Sequence, residues 1–231
     1  MNTINIIEKI LTLIGSLGLF LFGMKIMSES LQKVAGNKIR SILSAMTSNR
    51  FKGVLTGFLI TAIIQSSSAT TVMIVSFVNA GLLTLIEAVG VIMGANIGTT
   101  VTAWIISILG FKISMSAISL PVIAISFPLF FSKNDRRKTW GEFLIGFAIL
   151  FIGLEFLKSS VPNVHSNPEF FYFLKKYTDL GFLSTILFVF IGTLLTIVIQ
   201  SSSATMALTL VLCFNGLIPF SAAAAMVLGE N

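Results

Sequence analysis

This sequence is short of charged residues. Of its 231 residues, only 10% are Asp, Glu, Lys or Arg, whereas soluble domains carry about 25%. Hydrophobic residues make up 55% of the chain, and the mean hydropathy is +0.97. The shortage of charge excludes an ordinary soluble domain and predicts a chain surrounded largely by lipid.

Cysteine and histidine are almost absent. The one cysteine, Cys213, lies in an apolar stretch, and the one histidine, His165, lies between Pro162 and Pro168. A single cysteine excludes a disulfide framework, and one residue of each kind cannot form a zinc set or a thiolate–imidazole pair. Because no nucleophile–base pair or metal set stands out, we predict neither an enzyme nor a cofactor.

Long apolar runs are what the chain has instead. Several approach the roughly 20 residues that a bilayer-crossing helix needs, and others are short enough for half-crossing helices. The runs are Ile10–Phe22, Gly53–Ile64, Val91–Phe111, Ile113–Phe131, Phe143–Leu157 and Phe182–Ile199. The first run lacks the cleavage site of a signal peptide, so we interpret it as a retained helix. We therefore predict an all-α, multi-pass membrane protein.

The net charge of +6 does not indicate a nucleic-acid partner, because the positive residues gather between apolar runs. One group spans Lys33–Lys52 and the other spans Lys133–Lys138. This distribution is typical of cytoplasmic loops under the positive-inside rule. A phosphate-binding role for Lys133–Lys138 is the alternative interpretation.

One polar hexapeptide occurs twice inside apolar runs. Gln-Ser-Ser-Ser-Ala-Thr stands at positions 65–70 and again at 200–205, and over residues 56–96 the offset of 135 gives 15 identical positions of 41. Lipid offers no hydrogen bonds to hydroxyl and amide groups, so such a cluster needs internal partners or a bound solute. A single copy is equally consistent with a structural role, in which its hydroxyl groups hydrogen-bond between packed helices. The duplication favours a binding element, because repeats in membrane transporters meet at the solute site.

The paired motif also carries a family resemblance. The doubled Gln-Ser-Ser-Ser segment, with Gly-Ala-Asn-Ile-Gly-Thr-Thr at 94–100 after the first copy, resembles the type II sodium-dependent phosphate cotransporters and their bacterial relatives. The resemblance implies two inverted repeats, each with a re-entrant helical hairpin, in a bacterial plasma membrane. It implies that the two serine segments lie at the hairpin turns and meet around phosphate and sodium, with sodium as the coupling ion.

The residue chemistry agrees with that implication. Serine hydroxyls and backbone N–H groups at a broken helix are donors for an oxyanion. The candidate phosphate ligands are Ser66, Ser67, Ser68, Ser201, Ser202 and Ser203. Sodium prefers oxygen ligands, and its candidates are Thr61, Gln65, Asn96, Thr99, Thr100, Thr196, Gln200 and Asn231. Asn96, Thr99 and Thr100 alternatively cap or bend a helix.

The motifs divide the chain into three parts. Residues 1–131 form a first transmembrane repeat, 132–140 a basic loop, and 141–231 a second repeat that stops at Gly229-Glu230-Asn231, in the middle of its motif. We therefore expect this chain to be part of a longer protein. The resemblance implies bacterial relatives that often carry a soluble regulatory domain after the membrane part. Two other functions stay open, a phosphate-sensing or exporting regulator and a non-transporting membrane scaffold.

Three charged residues inside or beside apolar runs allow two interpretations each. Lys25 and Glu155 occupy matching positions in a weaker echo of the repeat at an offset of 130, and they either form a salt bridge between the halves or reach opposite membrane surfaces. Glu87 is a functional candidate as an intramembrane carboxylate, or else lies at the interface.

Overall fold

A computed structural model describes residues 3–46, 50–113, 115–161, 177–178 and 181–231. The predicted loop residue His165 lies outside these ranges. Within them the chain is helical and contains no strand. The helices are α1 (Thr3–Met46), α2 (Arg50–Ile64), α3 (Ser67–Asn79), α4 (Leu85–Ile105), α5 (Ser116–Phe130), α6 (Asp135–Ser160), α7 (Phe182–Ile199), α8 (Ser202–Phe214) and α9 (Phe220–Glu230). A π-helical segment, Ile106–Lys112, continues α4.

Four helical segments in the described part are long and apolar enough to cross a bilayer. They are Ile7–Ala35, Leu85–Lys112, Asp135–Ser160 and Phe182–Ile199. Helices α3, α5, α8 and α9 are apolar but shorter. Large apolar side chains such as Phe182 and Val198 are about four-fifths exposed, whereas Thr56, Thr70 and Thr205 are fully buried. This inside-out distribution suits a chain whose outer surface meets lipid.

Most of the basic residues lie on helices rather than in loops, and Lys133 lies in the turn before α6. Helix α1 continues to Met46 and α2 begins at Arg50, so most of the Lys33–Lys52 group is helical. Helix α6 begins at Asp135, with Asn134 capping the backbone N–H groups of Arg136 and Arg137. The prediction of loops was wrong for these residues. It ended each helix at the first charged residue of an apolar run, whereas a helix extends beyond the hydrocarbon for as long as its backbone hydrogen bonds continue.

Helices α1 and α6 pack closely in opposite directions. A methyl group at Gly23 would overlap the backbone of Leu150, and one at Gly153 would overlap the backbone of Phe20. Since the residue numbers change in opposite senses along the contact, the two helices are antiparallel. Small residues allow such approach between membrane helices, where dispersion and close packing drive association.

Helices α2 and α4 also pack backbone to backbone, but in parallel. Gly90 faces Arg50, Gly94 faces Val54, and Gly98 faces Thr61, so the residue numbers rise together. Helix α3 joins the far end of α2 to the near end of α4 and therefore runs in the opposite direction to both. A hydrogen bond of 3.0 Å from the Thr61 hydroxyl to the Thr70 hydroxyl links the two sides of this reversal.

The second half repeats this packing at the same offset of 135. Gly57 meets Val91 in the first half, and Gly192 meets Met226 in the second. Gly94 meets Val54 and Phe58, and their counterparts Gly229, Val189 and Thr193 meet in the same way. The repeat seen in the sequence is thus a repeat of local structure, with α7, α8 and α9 matching α2, α3 and α4.

Candidate functional site

The first serine motif breaks the chain between α2 and α3. Gln65 has a φ of 58°, in the left-handed region, and Ser66 is extended with φ −147° and ψ 105°. The Ser66 hydroxyl accepts from the Ala69 N–H at 3.2 Å and so caps the start of α3. The Gln65 amide donates to the carbonyl of Ala62 at 2.5 Å, satisfying the end of α2.

The second motif uses the same devices. Gln200 has a φ of 59°, and Ser201 is extended and accepts from the Ala204 N–H at 3.3 Å. The Gln200 amide donates to the Ile197 carbonyl. Among the described residues, Gln65 and Gln200 are the only non-glycine residues with positive φ. Strained backbone of this kind concentrates at functional sites.

Two cavities meet at the paired motifs. The first, of about 610 Å³, is lined by residues 65–68 of the first motif, residues 200–203 of the second and one face of α1. The second, of about 500 Å³, shares Ser67, Ser68, Gln200, Ser201 and Ser202 with the first. The fold therefore brings together two segments that lie 135 positions apart in the sequence.

Electrostatically, the shared wall favours an anion. Helices α3 and α8 begin at Ser67 and Ser202, so their first N–H groups and the positive ends of their dipoles lie beside the cavities. The serine hydroxyls add further donors. Converging neutral donors of this kind suit a hydrated or multiply charged oxyanion.

The predicted sodium ligands are divided by the structure. Gln65 lines the first cavity, Gln200 lines both, and Asn96, Thr196 and Asn231 line the second. Thr61, Thr99 and Thr100 line neither cavity. Thr99 donates to the Ala95 carbonyl at 3.2 Å, and Thr100 donates to the Ile97 carbonyl at 2.7 Å. The ligand role of these three threonines stays a prediction.

Helix α1 contributes a polar face that the sequence reading missed. Lys25, Ser28, Glu29 and Gln32 line the first cavity. Their spacing of three, four and seven places them on one side of a helix, a signal available in the sequence. The Ser28 hydroxyl also donates to the Ile64 carbonyl at 2.8 Å, which ties α1 to the end of α2.

The salt bridge between Lys25 and Glu155 does not form. Lys25 lies 3.9 Å from Glu29, and Glu155 pairs with Lys158 at 2.8 Å. Each residue finds an opposite charge within one turn of its own helix, so the bridge between halves has no advantage.

Three further polar residues have defined positions, and of these only Glu87 was singled out from the sequence. Glu87 forms a capping box with Thr84 at the start of α4, which supports its interfacial interpretation. Thr102 was missed; its hydroxyl donates to the Gln65 side-chain oxygen at 2.9 Å and holds the first motif against α4. Glu230, also missed, is buried beside the second cavity.

Among the described residues no group of three or more His, Cys, Asp or Glu side chains is placed to hold a metal ion.

Comparison with known proteins gives one family. The family described as Na+/Pi-cotransporter matches residues 19–159 and 167–231. The chain is 30% identical over 223 residues to "Putative inorganic phosphate export protein YjbB" of Escherichia coli (strain K12), covering 96% of this chain and 39% of that protein. It therefore spans about two fifths of the length of this relative.

Other relatives carry different names. "Uncharacterized protein YqeW" of Bacillus subtilis (strain 168) is 29% identical over 216 residues, 92% of this chain and 66% of that protein. "Sodium-dependent phosphate transport protein 2A" of Rattus norvegicus is 39% identical over 105 residues, 44% of this chain and 16% of that protein. No solved structure matches the chain significantly.

The predicted resemblance and the multi-pass membrane location are both confirmed. Four described segments are long and apolar enough to cross a bilayer, and the matched family is one of transporters rather than enzymes. The family match covers most of the residues, including both serine motifs and the Gly94–Thr100 segment. The chain belongs to the Na+/Pi-cotransporter family.

Proposed function

We propose that this protein transports inorganic phosphate together with sodium by alternating access. The observation that carries the proposal is the shared wall of the two cavities, formed by Ser67 and Ser68 from one half and Ser201 and Ser202 from the other. The relative from rat is named for sodium-dependent phosphate transport, which supports both the solute and the ion.

In this proposal the serine segments hold phosphate at the first cavity. The hydroxyls of Ser66–Ser68 and Ser201–Ser203 and the N–H groups at the starts of α3 and α8 donate to the anion. Sodium ions occupy the oxygen-rich positions next to the phosphate. Gln65 and Gln200 orient the two serine tips, which are the segments Ser66–Ser68 and Ser201–Ser203. The remaining sodium ligands are Thr61, Asn96, Thr99, Thr100, Thr196 and Asn231.

We infer that the two halves are inverted repeats with re-entrant hairpins. At the offset of 130, Gly23 corresponds to Gly153 and Phe20 corresponds to Leu150. The close contact of Gly23 with Leu150 is therefore repeated, with the two halves exchanged, as the close contact of Gly153 with Phe20. Such an exchange is the mark of a two-fold relation, and α1 and α6 are antiparallel. The chain reversals at Gln65 and Gln200, and the cavities that both serine segments line, support this arrangement, because the solute sites of such transporters lie where the repeats meet.

Charge explains why sodium would be needed. Neutral donors at the serine tips offset a divalent anion only in part. Entry of each negative charge into a negative cytosol costs about 2.3 kcal/mol per 100 mV, and a divalent phosphate costs twice that. Two sodium ions would cancel the electrical cost and leave the sodium concentration gradient to drive uptake.

Sodium-dependent uptake tests the proposal directly. The full-length protein in proteoliposomes is expected to take up labelled phosphate under an inward sodium gradient and to stop when potassium replaces sodium. Folding is checked by size-exclusion chromatography in detergent. Uptake of equal rate in both salts would reject the coupling, and no uptake by folded protein would favour the regulatory or scaffold alternatives.

Export is the second candidate direction. It is supported by the relative from Escherichia coli, which is named for phosphate export and is matched along 96% of this chain. Release of phosphate from preloaded vesicles under an outward sodium gradient, without net uptake under the inward one, would favour export.

Lys25 offers a smaller test of the same site. Lys25 lines the first cavity with its side chain 71% exposed, so it attracts the anion through a screened field. Lys25→Gln is expected to raise the phosphate KM about 2- to 5-fold at low ionic strength, with little effect at high salt. The control is Lys33→Gln, which lies on the same helix, pairs with Glu142 and lines neither cavity; an equal effect of both changes would contradict a local role.

A further inference from the structure

Glu230 is a buried carboxylate that the proposed phosphate site does not use. It is 3% exposed, and its Oε1 accepts from the Thr209 hydroxyl at 2.6 Å. Among the described residues, two buried side-chain oxygens lack a hydrogen-bond partner, Glu230 Oε2 and Thr196 Oγ1. Both residues line the second cavity. Two buried oxygens without protein partners on one cavity wall can accept a cation or a hydrogen-bond donor.

The fold does not require this carboxylate. Subtracting 135 from Glu230 and Thr209 gives Ala95 and Ile74, which are both fully buried in the first half. The first half keeps the same helix packing with these apolar residues. An ionisable residue at membrane depth is costly, so its presence in only one half indicates a function specific to that half.

The surrounding atoms select the kind of ligand. Thr196, Gln200 and Asn231 line the same cavity as Glu230 and present hydroxyl and amide oxygens. Thr193 lines the same cavity, and its hydroxyl donates to the Gly229 carbonyl at 2.9 Å. Carboxylate, hydroxyl and amide oxygens without nitrogen or sulfur ligands favour a hard cation. The family already transports sodium with phosphate, so sodium is the cation at hand.

We propose that Glu230 is the anionic ligand of a sodium site in the second cavity, with the hydroxyl of Thr196 as a neighbouring ligand. This site deepens the proposed function and rests on its sodium coupling. The first half has no equivalent carboxylate, so the two halves bind the ion unequally.

The charge of Glu230 also acts on the anion. Ser67, Ser68, Ser201 and Ser202 line both cavities, so an anion held by them is a neighbour of Glu230. Without a cation the carboxylate repels phosphate, and two like charges in a poorly solvated site cannot both be stable. Sodium at Glu230 removes this repulsion.

Glu230→Gln separates charge from shape. Glutamine keeps an oxygen that accepts from Thr209 and loses only the negative charge. We expect the half-saturating sodium concentration for phosphate uptake to rise about 10-fold or more. Binding of labelled sodium to purified full-length protein, measured without phosphate, is expected to fall. Phosphate binding in sodium-free buffer is expected to rise, a change that a merely structural role for Glu230 would not produce.

Two controls keep the result decisive. Glu142→Gln makes the same change at a carboxylate that pairs with Lys33 outside both cavities, and its sodium dependence should equal that of the wild type. The double variant Glu230→Ala with Thr209→Ile copies the packing of the first half and should fold even if Glu230→Gln does not. It should show the same loss of sodium binding.

The outcomes distinguish the site from the coupling. Equal sodium binding by the wild type and both Glu230 variants overturns the site. Sodium binding that is lost in the variants, in a wild type whose uptake ignores sodium, supports the site and rejects the coupling in the proposed function.

Discussion

Replacing Ser67 and Ser202 together by alanine is expected to lower sodium-driven phosphate uptake by about 100-fold or more. Each serine is the first residue of its helix and lines both cavities. A hydrogen bond to a charged group contributes about 1.5–3 kcal/mol, so each lost hydroxyl costs at least about 10-fold. The two losses fall on opposite sides of one anion, and each single variant should show part of the defect.

The measurement is initial-rate uptake in proteoliposomes, with the unfolding temperature in detergent recorded for each variant. The matched control is Ser76→Ala. Ser76 lies on α3 as well, but its hydroxyl donates to the Val72 carbonyl at 2.8 Å and it lines neither cavity. If the serines served only as helix glue, the double variant would lose stability and the surviving folded protein would transport normally. A drop in uptake at unchanged stability supports the binding role.

The repeat was predictable because its polar residues stand out against an apolar background. Fifteen identities at one offset correspond to the same glycine contacts in both halves. The helix break was predictable for a related reason, since three serines satisfy backbone groups that a broken helix leaves free. The conformation of Gln65 and Gln200 was not, because left-handed backbone usually signals glycine or asparagine. The structure supplies the reason in the amide that bonds back to its own helix.

Residues that act through tertiary contact were the ones missed. Thr102 holds the first serine motif because α4 runs parallel to α2 and brings the Thr102 hydroxyl to the Gln65 side chain. The periodicity of the sequence does not give the register between these two helices. The polar face of α1 at Lys25 and Glu29 was visible as spacing, but only the fold places it against the serine motifs. Glu230 was readable as a carboxylate that stands where the first copy has the buried alanine Ala95, and Glu87 is the opposite case, standing where the second copy has the buried alanine Ala222.

Gly57→Ala is expected to destabilise the folded protein strongly. A methyl group at Gly57 would overlap the carbonyl oxygen of Val91 on α4, and backbone atoms cannot turn away as a side chain does. Separation of α2 from α4 would also weaken the hydrogen bond from Thr102 to Gln65 that holds the first serine tip. Overpacking of this severity costs about 3 kcal/mol or more, so the unfolding temperature should fall by about 6–12 °C.

The comparison with Gly15→Ala isolates the steric cause, because both changes add one methyl group to a glycine inside a helix. At Gly15 no atom lies within 4 Å of the added methyl, and alanine there favours the helix by up to about 1 kcal/mol. Thermal unfolding in detergent should therefore separate the two variants by more than the scatter between preparations. The counterpart Gly192→Ala should behave like Gly57→Ala, since Gly192 meets the Met226 backbone in the same way. If Gly57→Ala and Gly192→Ala unfolded at the temperature of Gly15→Ala, the parallel pairs α2–α4 and α7–α9 would be packed less closely than described, and the serine tips would need another support.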